Sequence, residues 1–312
     1  MNGNCTASFL PSRCFGRIVK LNDALIQNVS DTAFMAAAYR AAESERPDAL
    51  FRDPLAVRLA GERGKTIVAG LPAGAFIGGW TVVIRTCVID EQIQSALADG
   101  VDTVLNLGAG LDTRPYRMAL PASLRWIEVD HPQVIELKER SLGNEKPRCR
   151  LDRIKLDLSD VGARRVVLEQ ATAGSGKVLV LTEAVIPYLT EAAVASLATD
   201  LRANPAIRYW IVDYFSPEAY QYRRRTRMDR VMQNAPFQFE PKDYFGFFAR
   251  LGWQPREIRY LAEEADRLSR PPAFPAAVKW ATRVMGLFLS RERRAAMKRY
   301  TGSVLFVPAE RG

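Results

Sequence analysis

Two glycines and one carboxylate have the types and spacing of a nucleotide-binding site. The apolar run 104–107 leads into Gly108 and Gly110, and Asp130 ends the next strand-like run, 20 residues after Gly110. Glycines in such a turn let the backbone approach a ligand closely, and an acid at that distance binds ribose hydroxyls. We therefore predict a nucleotide-type cofactor. The alternative is that the glycines serve only the turn. Asp130 is also expected to cap a helix ahead of Pro132, a role compatible with ribose binding.

Acidic residues beyond the glycines distinguish between cofactor classes. Thr113 replaces the third small residue of a dinucleotide fingerprint, and the acid Asp112 precedes it. An anion there would repel a pyrophosphate but tolerates a sulfonium and an α-amino group. Asp157, followed by apolar Leu158, ends a further strand-like run and suits an adenine amino group and ring face. The charges favour S-adenosylmethionine over NAD; an Asp112–Arg114 ion pair that only shapes the loop is the alternative.

The elements that would position these residues alternate between strand and helix from residue 101 onward. Strand-like runs occupy 103–107, 125–129, 153–155, 178–181 and 209–214, and two more follow at 256–261 and 303–307. Short apolar strands alternating with helices predict an α/β fold with a mostly parallel, seven-stranded sheet flanked by helices. Ahead of the sheet, residues 22–60 read as helical with a break near Pro47. A Gly/Pro-rich loop is expected over 70–79 and a helix over about 80–97.

Two charged residues, Arg85 and Glu183, are expected near the ligand-binding edge of the sheet. Arg85 lies on the apolar face of the helix over 80–97, so its charge requires an anion. Glu183 ends a strand at the sheet edge where open α/β sheets bind ligands, with a plain solvated acid as the alternative.

Composition narrows the class of protein. The formal net charge of +9 comes from arginine clusters, which are more often solvated surface than a binding patch. Four cysteines without metal-type spacing and a single histidine predict no metal site and a reducing, cytoplasmic compartment. No apolar run reaches the length that spans a bilayer. The basic runs lack the interleaved aromatics of a nucleic-acid groove, so no nucleic-acid partner is expected.

Several motifs together resemble the leucine carboxyl methyltransferase superfamily, in particular its bacterial branch similar to polyketide O-methyltransferases. The matching segments are 30–33 (SDTA), 51–56 (FRDPLA), 106–117 (NLGAGLDTRPYR), 128–132 (EVDHP), 182–189 (TEAVIPYL) and 251–253 (LGW). The resemblance runs from about residue 25 to the end. It implies a Rossmann-like class I methyltransferase with an N-terminal helical cap and S-adenosylmethionine as cofactor.

The resemblance also implies a role for each matching residue. Arg85 would bind the cofactor carboxylate, and Glu183 would lie near the methionine amino group. Gly108, in the turn that Gly110 completes, would line the methionine moiety. Asp130 would bind the ribose, and Asp157 and Leu158 would hold the adenine. In the family a basic residue of the N-terminal helix also reaches the cofactor carboxylate, and Arg40 is the candidate. Asn106 is a departure, because many methyltransferases carry an acid there. We expect weaker charge pairing and retained binding.

The chemistry of methyl transfer limits the kind of acceptor that this chain can use. Methyl transfer is an in-line displacement, so the protein chiefly aligns the acceptor oxygen and excludes water. A carboxylate acceptor needs no base, whereas a neutral hydroxyl usually needs histidine, and His131 is expected in the wall of the cofactor pocket. We therefore expect a carboxylate or an acidic hydroxyl as acceptor. Tyr188 and Tyr214 are the candidate catalytic residues that position it, near Asp213.

The basic run 223–227 supplies candidates for substrate binding. Arg224 and Arg225 would hold an anionic acceptor by bidentate pairing, with an exposed basic helix face as the alternative.

These expectations describe one methyltransferase domain over 21–312, behind a flexible leader over 1–20. A helical cap would span 21–79 and the core 80–312, with substrate-covering insertions at about 216–250 and 265–300. The predicted function is S-adenosylmethionine-dependent O-methylation of a small, polyketide-like molecule, and an oligomer is compatible with it. The alternatives are a protein C-terminal carboxyl methyltransferase, a non-catalytic cofactor-binding protein and a nicotinamide oxidoreductase.

Overall fold

The strands form one mixed sheet in the computed structural model, which describes residues 25–71, 76–225, 231–272 and 290–310. Within these residues the strands are β1 Thr103–Leu107, β2 Arg125–Asp130, β3 Arg150–Lys155, β4 Val178–Thr182, β5 Ile207–Phe215, β6 Trp253–Tyr260 and β7 Thr301–Pro308. Their order is β3-β2-β1-β4-β5-β7-β6. β1 to β5 are parallel, and β7 runs antiparallel to both β5 and β6. The predicted seven-stranded, mostly parallel sheet is confirmed.

The central strands are apolar because helices cover both faces of the sheet. Every residue of β1 and of β4 is buried. Leu105 and Val180 belong to one packed layer, and Val104 and Leu179 belong to the layer on the opposite face. This alternation follows the two-residue period of a strand. The parallel strands therefore end together at one edge, where the candidate residues lie.

Three of the described helices precede β1, and further helices occupy the connections between the strands. They are α1 Val29–Ser44, α2 Pro54–Gly70, α3 Phe76–Ala98, α4 Arg114–Arg117, α5 Pro132–Leu142, α6 Val161–Thr172, α7 Glu191–Ala203, α8 Pro217–Arg225, α9 Tyr244–Arg250, α10 Leu261–Arg267 and α11 Arg291–Lys298, with a 3-10 turn at Ile186–Tyr188. Asn28 and Asp53 cap α1 and α2 by accepting hydrogen bonds from backbone N–H groups of the first turn. The predicted break near Pro47 corresponds to the segment between α1 and α2.

The loop expected over 70–79 is shorter than predicted. α2 extends through Gly70 and α3 already begins at Phe76, so the two glycines at 78 and 79 are helical. Gly79 is there for close packing, since a Cβ atom at this position would lie 2.6 Å from the Cε1 atom of Tyr39. The glycine content of this segment favoured a loop, because the contact that requires Gly79 is with Tyr39 of another helix and leaves no signal in the local sequence.

Other predicted segments differ at their ends or lie outside the described residues. β3 begins at Arg150, three residues before the predicted run, and β6 begins at Trp253 and ends before Leu261, which starts α10. The leader over 1–20 and most of the expected helix around 276–298 lie outside the described residues, and α11 covers the end of that helix. The limits of the cap and of the two insertions stay predictions. Along the described stretches, no helix combines the length and apolar character that crossing a bilayer takes.

A charged triad is enclosed beneath β2. Lys138 of α5 and Glu128 are both fully buried, and the Nζ atom of Lys138 lies 2.7 Å from Oε1 of Glu128. The Nε atom of Arg153 donates to the second oxygen, Oε2, at 2.9 Å. Removing one partner of such a pair leaves a buried charge without full compensation, which costs more than the pair itself contributes.

Replacing Lys138 by Met should lower the free energy of unfolding by about 3 kcal/mol, because Glu128 would keep only one cation. Urea unfolding followed by circular dichroism measures this change. The matched control is Lys155→Met, which removes the exposed pairs of Lys155 with Glu136 and Glu139 and should leave the midpoint unchanged. Equal losses in the two variants would contradict the assignment.

Candidate cofactor and active site

The glycine turn after β1 packs against the neighbouring strand and loop. Gly108 has φ +70° and donates its N–H to the carbonyl of Val129 at 2.8 Å. A Cβ atom at Gly108 would lie 2.4 Å from Cγ2 of Val185, so only glycine fits. Gly110 has φ +48° and donates its N–H to Oδ2 of Asp130 at 2.6 Å. The turn is therefore both left-handed and closely packed, and the tight turn agrees with the sequence prediction.

Asp130 is held at the end of β2 by two backbone N–H groups. Oδ2 accepts from Gly110, and Oδ1 accepts from His131 at 2.7 Å. The helix-cap position of α5 is occupied by His131, not by Asp130, so the additional capping role expected for Asp130 is wrong. Each carboxylate oxygen of Asp130 keeps a second lone pair, so the side chain is oriented and can still accept a hydroxyl donor.

A chain of ion pairs runs from α1 to β5 behind the glycine turn; we call it the charge chain. Its guanidinium groups are those of Arg40, Arg85, Arg114 and Arg117, and its carboxylates are those of Asp53, Asp90, Asp112, Glu183 and Asp213. The most enclosed cation is Arg114, whose side chain is 2% exposed. Continuous pairing explains how so many charged groups lie buried at one place, since each charge faces an opposite one.

Glu183 lies at the centre of the charge chain, immediately after β4. Oε1 accepts from Nε of Arg85 at 2.8 Å and Oε2 accepts from Nη1 of Arg114 at 2.7 Å. Burial raises the pKa of Glu183, but the two arginines more than offset that effect, and the pKa lies well below its usual range. The predicted pairing of Arg85 with an anion is therefore met, within the protein, by Glu183.

Asp112 and Asn106 form one unit at the start of the turn. The side-chain amide of Asn106 donates to Oδ2 of Asp112 at 2.9 Å, and the Arg114 guanidinium lies 3.0 Å from the same oxygen. The Asp112–Arg114 ion pair is thus present. Burial raises the pKa of Asp112, but the Arg114 charge outweighs it and the pKa is lowered. An acid at 106 would face this carboxylate, which explains the amide there.

Arg40 ties the first helix to the glycine turn. Its Nε atom donates to Asp53 at 2.8 Å and its Nη2 atom to the carbonyl of Leu111 at 2.6 Å. Asp53 also accepts from the hydroxyl of Thr113 at 2.7 Å. Asp53 was not among the predicted site residues, although the 51–56 motif contains it. The role of Arg40 at the cofactor carboxylate stays a prediction.

Asp157 and Leu158 follow β3 at the same edge of the sheet as Asp130. Asp157 is exposed and its Oδ1 atom accepts from the N–H of Ser159 at 2.9 Å, which lowers its pKa. Leu158 is half-buried against the core. β3 lies next to β2, so Asp157 and Leu158 lie beside the expected ribose residue Asp130, as the adenine lies beside the ribose in the cofactor. Their role at the adenine stays a prediction.

The two candidate tyrosines, Tyr188 and Tyr214, point in different directions in the structure. Tyr188 is half-buried, and its pKa is raised by burial against the opposing effects of a hydrogen bond with Thr32 and the charges of Arg223 and Arg85. Asp213 belongs to the charge chain, and successive side chains of a strand point to opposite faces. Tyr214 therefore points away from that chain, and its ring stacks on Phe245 at 5.4 Å. Of the two tyrosines, Tyr188 is the one that faces the charge chain.

The three described arginines of the basic run differ in direction. Arg224 is exposed and forms a bidentate pair with Glu240, with contacts of 2.7 to 3.1 Å, and Arg225 is exposed at the end of α8. Arg223 is half-buried, and its guanidinium carbon lies 3.7 Å from the centre of the Phe237 ring. That ring packs edge-on against Tyr188 at 5.1 Å. The sequence analysis included Arg223 in the candidate run but singled out Arg224 and Arg225, because the sequence does not show which side of α8 faces Phe237.

The donor set fits S-adenosylmethionine. A guanidinium and a carboxylate of opposite sign suit the carboxylate and ammonium groups of its methionine moiety, and an oriented carboxylate after β2 suits ribose. Among the described residues, no group of three or more His, Cys, Asp or Glu side chains is placed to hold a metal ion. Sheet order, glycine turn and acidic β2 end together define a Rossmann-like class I methyltransferase.

Comparison with known proteins identifies the family. The family model described as leucine carboxyl methyltransferase matches residues 33–202, and the chain belongs to this family. A candidate S-adenosyl-L-methionine-dependent methyltransferase of Streptomyces coelicolor is 34% identical over 257 residues, which cover 77% of this chain and 88% of that protein. Another, of Parafrankia, is 34% identical over 182 residues, covering 55% of this chain and 58% of that protein. The chain is therefore an S-adenosylmethionine-dependent methyltransferase.

Solved structures support the fold. A DUF574 family protein of Streptomyces avermitilis is 14% identical with a TM-score of 0.56, and the match covers 89% of this chain and 97% of that one. A protein of Thermobifida fusca described as a candidate methyltransferase is 12% identical with a TM-score of 0.57, over 92% and 97% of the two chains. The expected fold class is confirmed.

Replacing Gly108 by Ala should lower the free energy of unfolding by about 2–5 kcal/mol, because a left-handed backbone and a clash with stiff Val185 add together. Urea unfolding measures the change, and calorimetry should show weakened S-adenosylmethionine binding. Gly174→Ala is the matched control, since Gly174 has φ +74° and a Cβ atom there would meet nothing within 4 Å. It should lose only the backbone contribution and bind normally; equal effects in both variants would remove the packing argument.

Proposed function

We propose that the protein methylates an anionic oxygen, a carboxylate or an acidic hydroxyl, of a small aromatic, polyketide-like molecule. The observation that carries the proposal is the position of Arg223. Its guanidinium group lies over Phe237 and contributes to the pKa of Tyr188, so a cation from α8 faces the same tyrosine as the charge chain. An anion that lies beside Tyr188 would be attracted by the charge of Arg223.

Aromatic side chains around Arg223 favour a planar acceptor. The ring of Phe237 packs edge-on against Tyr188 at 5.1 Å and against Phe215 at 5.2 Å, and Tyr220 lies 6.3 Å from it. Aromatic faces and edges bind flat rings through offset and edge-on contacts, and the stacked guanidinium adds a charge for a carboxylate or phenolate. Arg223 is therefore our preferred acceptor-binding residue, ahead of Arg224 and Arg225.

The residues of the sheet edge would hold the cofactor, which supplies a methyl group on an activated sulfonium. Asp130 accepts hydrogen bonds from ribose hydroxyls, and Leu158 and Asp157 contact the adenine. Arg85 binds the carboxylate of the methionine moiety, and Glu183 faces its ammonium group. Gly108 leaves space for the backbone to approach the same moiety, since no side chain projects from it.

On the acceptor side, the protein aligns one oxygen and excludes water. Tyr188 contributes a hydroxyl that stays protonated, because burial raises its pKa, so it can donate a hydrogen bond to an anionic acceptor. A carboxylate acceptor needs no proton transfer. For an acidic hydroxyl, Asp213 is the proton acceptor in this proposal, since burial raises its pKa above the usual range and strengthens it as a base.

A reducing, cytoplasmic location is part of the proposal. Among the described residues, Cys87 and Cys149 are buried free thiols, and burial raises the pKa of Cys87 to about 12. Such thiols behave as small apolar side chains and are compatible with a compartment that keeps them reduced.

Calorimetry should show that the protein binds S-adenosylmethionine and does not bind NAD. Asp130→Ala should weaken S-adenosylmethionine binding by about 10- to 100-fold, because a charge-assisted hydrogen bond is worth roughly 1.5–3 kcal/mol. The control is Asp152→Ala, which removes an exposed carboxylate of β3 and should leave the affinity unchanged. Binding of NAD, or of neither ligand, would overturn the proposed cofactor site.

Acceptor preference can be measured as S-adenosylhomocysteine release with aromatic carboxylic acids, phenols and neutral alcohols. We expect turnover only with the acids or acidic phenols, and an acceptor KM that rises about 10- to 100-fold in Arg223→Ala. Arg224→Ala and Arg225→Ala are the controls from the same helix and should change KM little. A KM that rises only in those two variants would return the role to them, and preference for neutral alcohols would reject the proposal.

A further inference from the structure

Arg114 is enclosed by carboxylates from three different parts of the fold. Its Nε atom lies 2.7 Å from Oδ1 of Asp90 on α3, and its Nη1 atom lies 3.0 Å from Oδ2 of Asp112 in the glycine turn. The same Nη1 atom lies 2.7 Å from Oε2 of Glu183. The backbone N–H of Arg114 also donates to Asp112, at 2.9 Å, so the start of α4 is fixed with the side chain.

Both oxygens of Glu183 are occupied, one by each of two arginines on different helices. Arg85 of α3 holds Oε1 and Arg114 of α4 holds Oε2. Arg114 is itself anchored on its far side by Asp90, so it cannot follow a rotation of the glutamate. Two fixed donors therefore leave the Glu183 carboxylate with one orientation.

The charge of Glu183 also depends on this arrangement. The charged groups that face it are the cations Arg85, Arg114 and Arg40 and the carboxylates Asp112 and Asp213. Arg114 opposes burial most strongly and separates Glu183 from Asp112, whose like charge would otherwise favour a proton on one of them. Without Arg114, the carboxylate loses both a hydrogen bond and its largest favourable electrostatic interaction.

We propose that Arg114 is a positioning residue that fixes the orientation and negative charge of Glu183 toward the ammonium group of S-adenosylmethionine. The inference rests on the role proposed for Glu183 at the methionine end of the cofactor. It assigns to the arginine of the 106–117 motif a function beyond shaping the turn. Arg114 acts through Glu183 and does not itself contact the cofactor.

The test compares Arg114→Met with Arg117→Met. Arg117 belongs to the same helix, has a side chain that is 8% exposed and pairs with the same Asp90, at 2.6 and 2.8 Å. Its ion pairs are with Asp90 and Asp53, so the substitution removes another buried cation of the charge chain without removing a hydrogen bond to Glu183. Calorimetry with S-adenosylmethionine and with 5′-methylthioadenosine, which lacks the amino-acid group, reports the two ends of the site separately.

Arg114→Met should weaken S-adenosylmethionine binding by about 10-fold or more at pH 7 and leave methylthioadenosine binding within about twofold. The loss should deepen as the pH is lowered, because Glu183 without Arg114 keeps fewer neighbouring cations to offset its burial and takes up a proton more readily. The unsubstituted protein and Arg117→Met should show no such deepening. Arg114→Lys, which keeps the charge but not the fork of donors, should bind with intermediate affinity and is the variant to measure if Arg114→Met does not fold.

Equal loss of both ligands in Arg114→Met, or the same profile in Arg117→Met, would overturn the inference and leave Arg114 a structural residue. Unchanged S-adenosylmethionine binding in a folded Arg114→Met or Arg114→Lys would overturn it as well. Failure of the unsubstituted protein to bind S-adenosylmethionine is a different result, because it would reject the proposed cofactor site itself.

Discussion

The charge chain is the constraint on which the rest of the structure depends. Arginine stays protonated throughout the physiological range, so each enclosed guanidinium must meet a carboxylate or lose the free energy of its hydration. The carboxylates that meet these cations come from the start of α2, from α3, from the glycine turn and from the ends of β4 and β5. The pairs therefore form only when the first three helices and the sheet are assembled together, which couples the N-terminal helices to the core.

With the cofactor held as proposed above, the same groups serve both stability and cofactor binding, because the charge chain lies at the edge where the parallel strands end. Asp53 shows the connection: it caps α2, accepts from Arg40 of α1 and accepts from Thr113 of the glycine turn. Anything that moves α1 or α2 thus moves the glycine turn. The strained backbone of Ala184, with φ +54°, lies at the same place, and its N–H donates to Asp213. Strain of this kind persists where surrounding contacts over-determine it, and it occurs often at functional sites.

The sequence predicted the sheet well because its strands are continuous apolar runs bounded by turn residues. β1 was predicted residue for residue, and β2 and β4 each extend one residue further than expected, at the polar residues Asp130 and Thr182. The motifs selected Arg85, Gly108, Asp130 and Glu183, which the structure brings to one edge. The long-range ion pairs around them were not predictable. Arg114, for example, pairs with an acid 24 residues before it and with another 69 residues after it. Side-chain pairing over such separations leaves no periodic signal, and the direction of Arg223 depends on Phe237 across a loop.

The balance of the charge chain accounts for the departure at Asn106. With every member ionised, the five carboxylates and four guanidiniums of the charge chain leave one negative charge. The methionine end of S-adenosylmethionine carries one carboxylate, one ammonium and one sulfonium, so it brings one positive charge. In the proposed site a further acid at 106 would unbalance this match, and it would face Asp112 directly, whereas the amide donates a hydrogen bond to Asp112. The acid that many methyltransferases place on the first strand is therefore supplied here from the turn, and Arg114 is the residue that makes a carboxylate at that position compatible with Glu183.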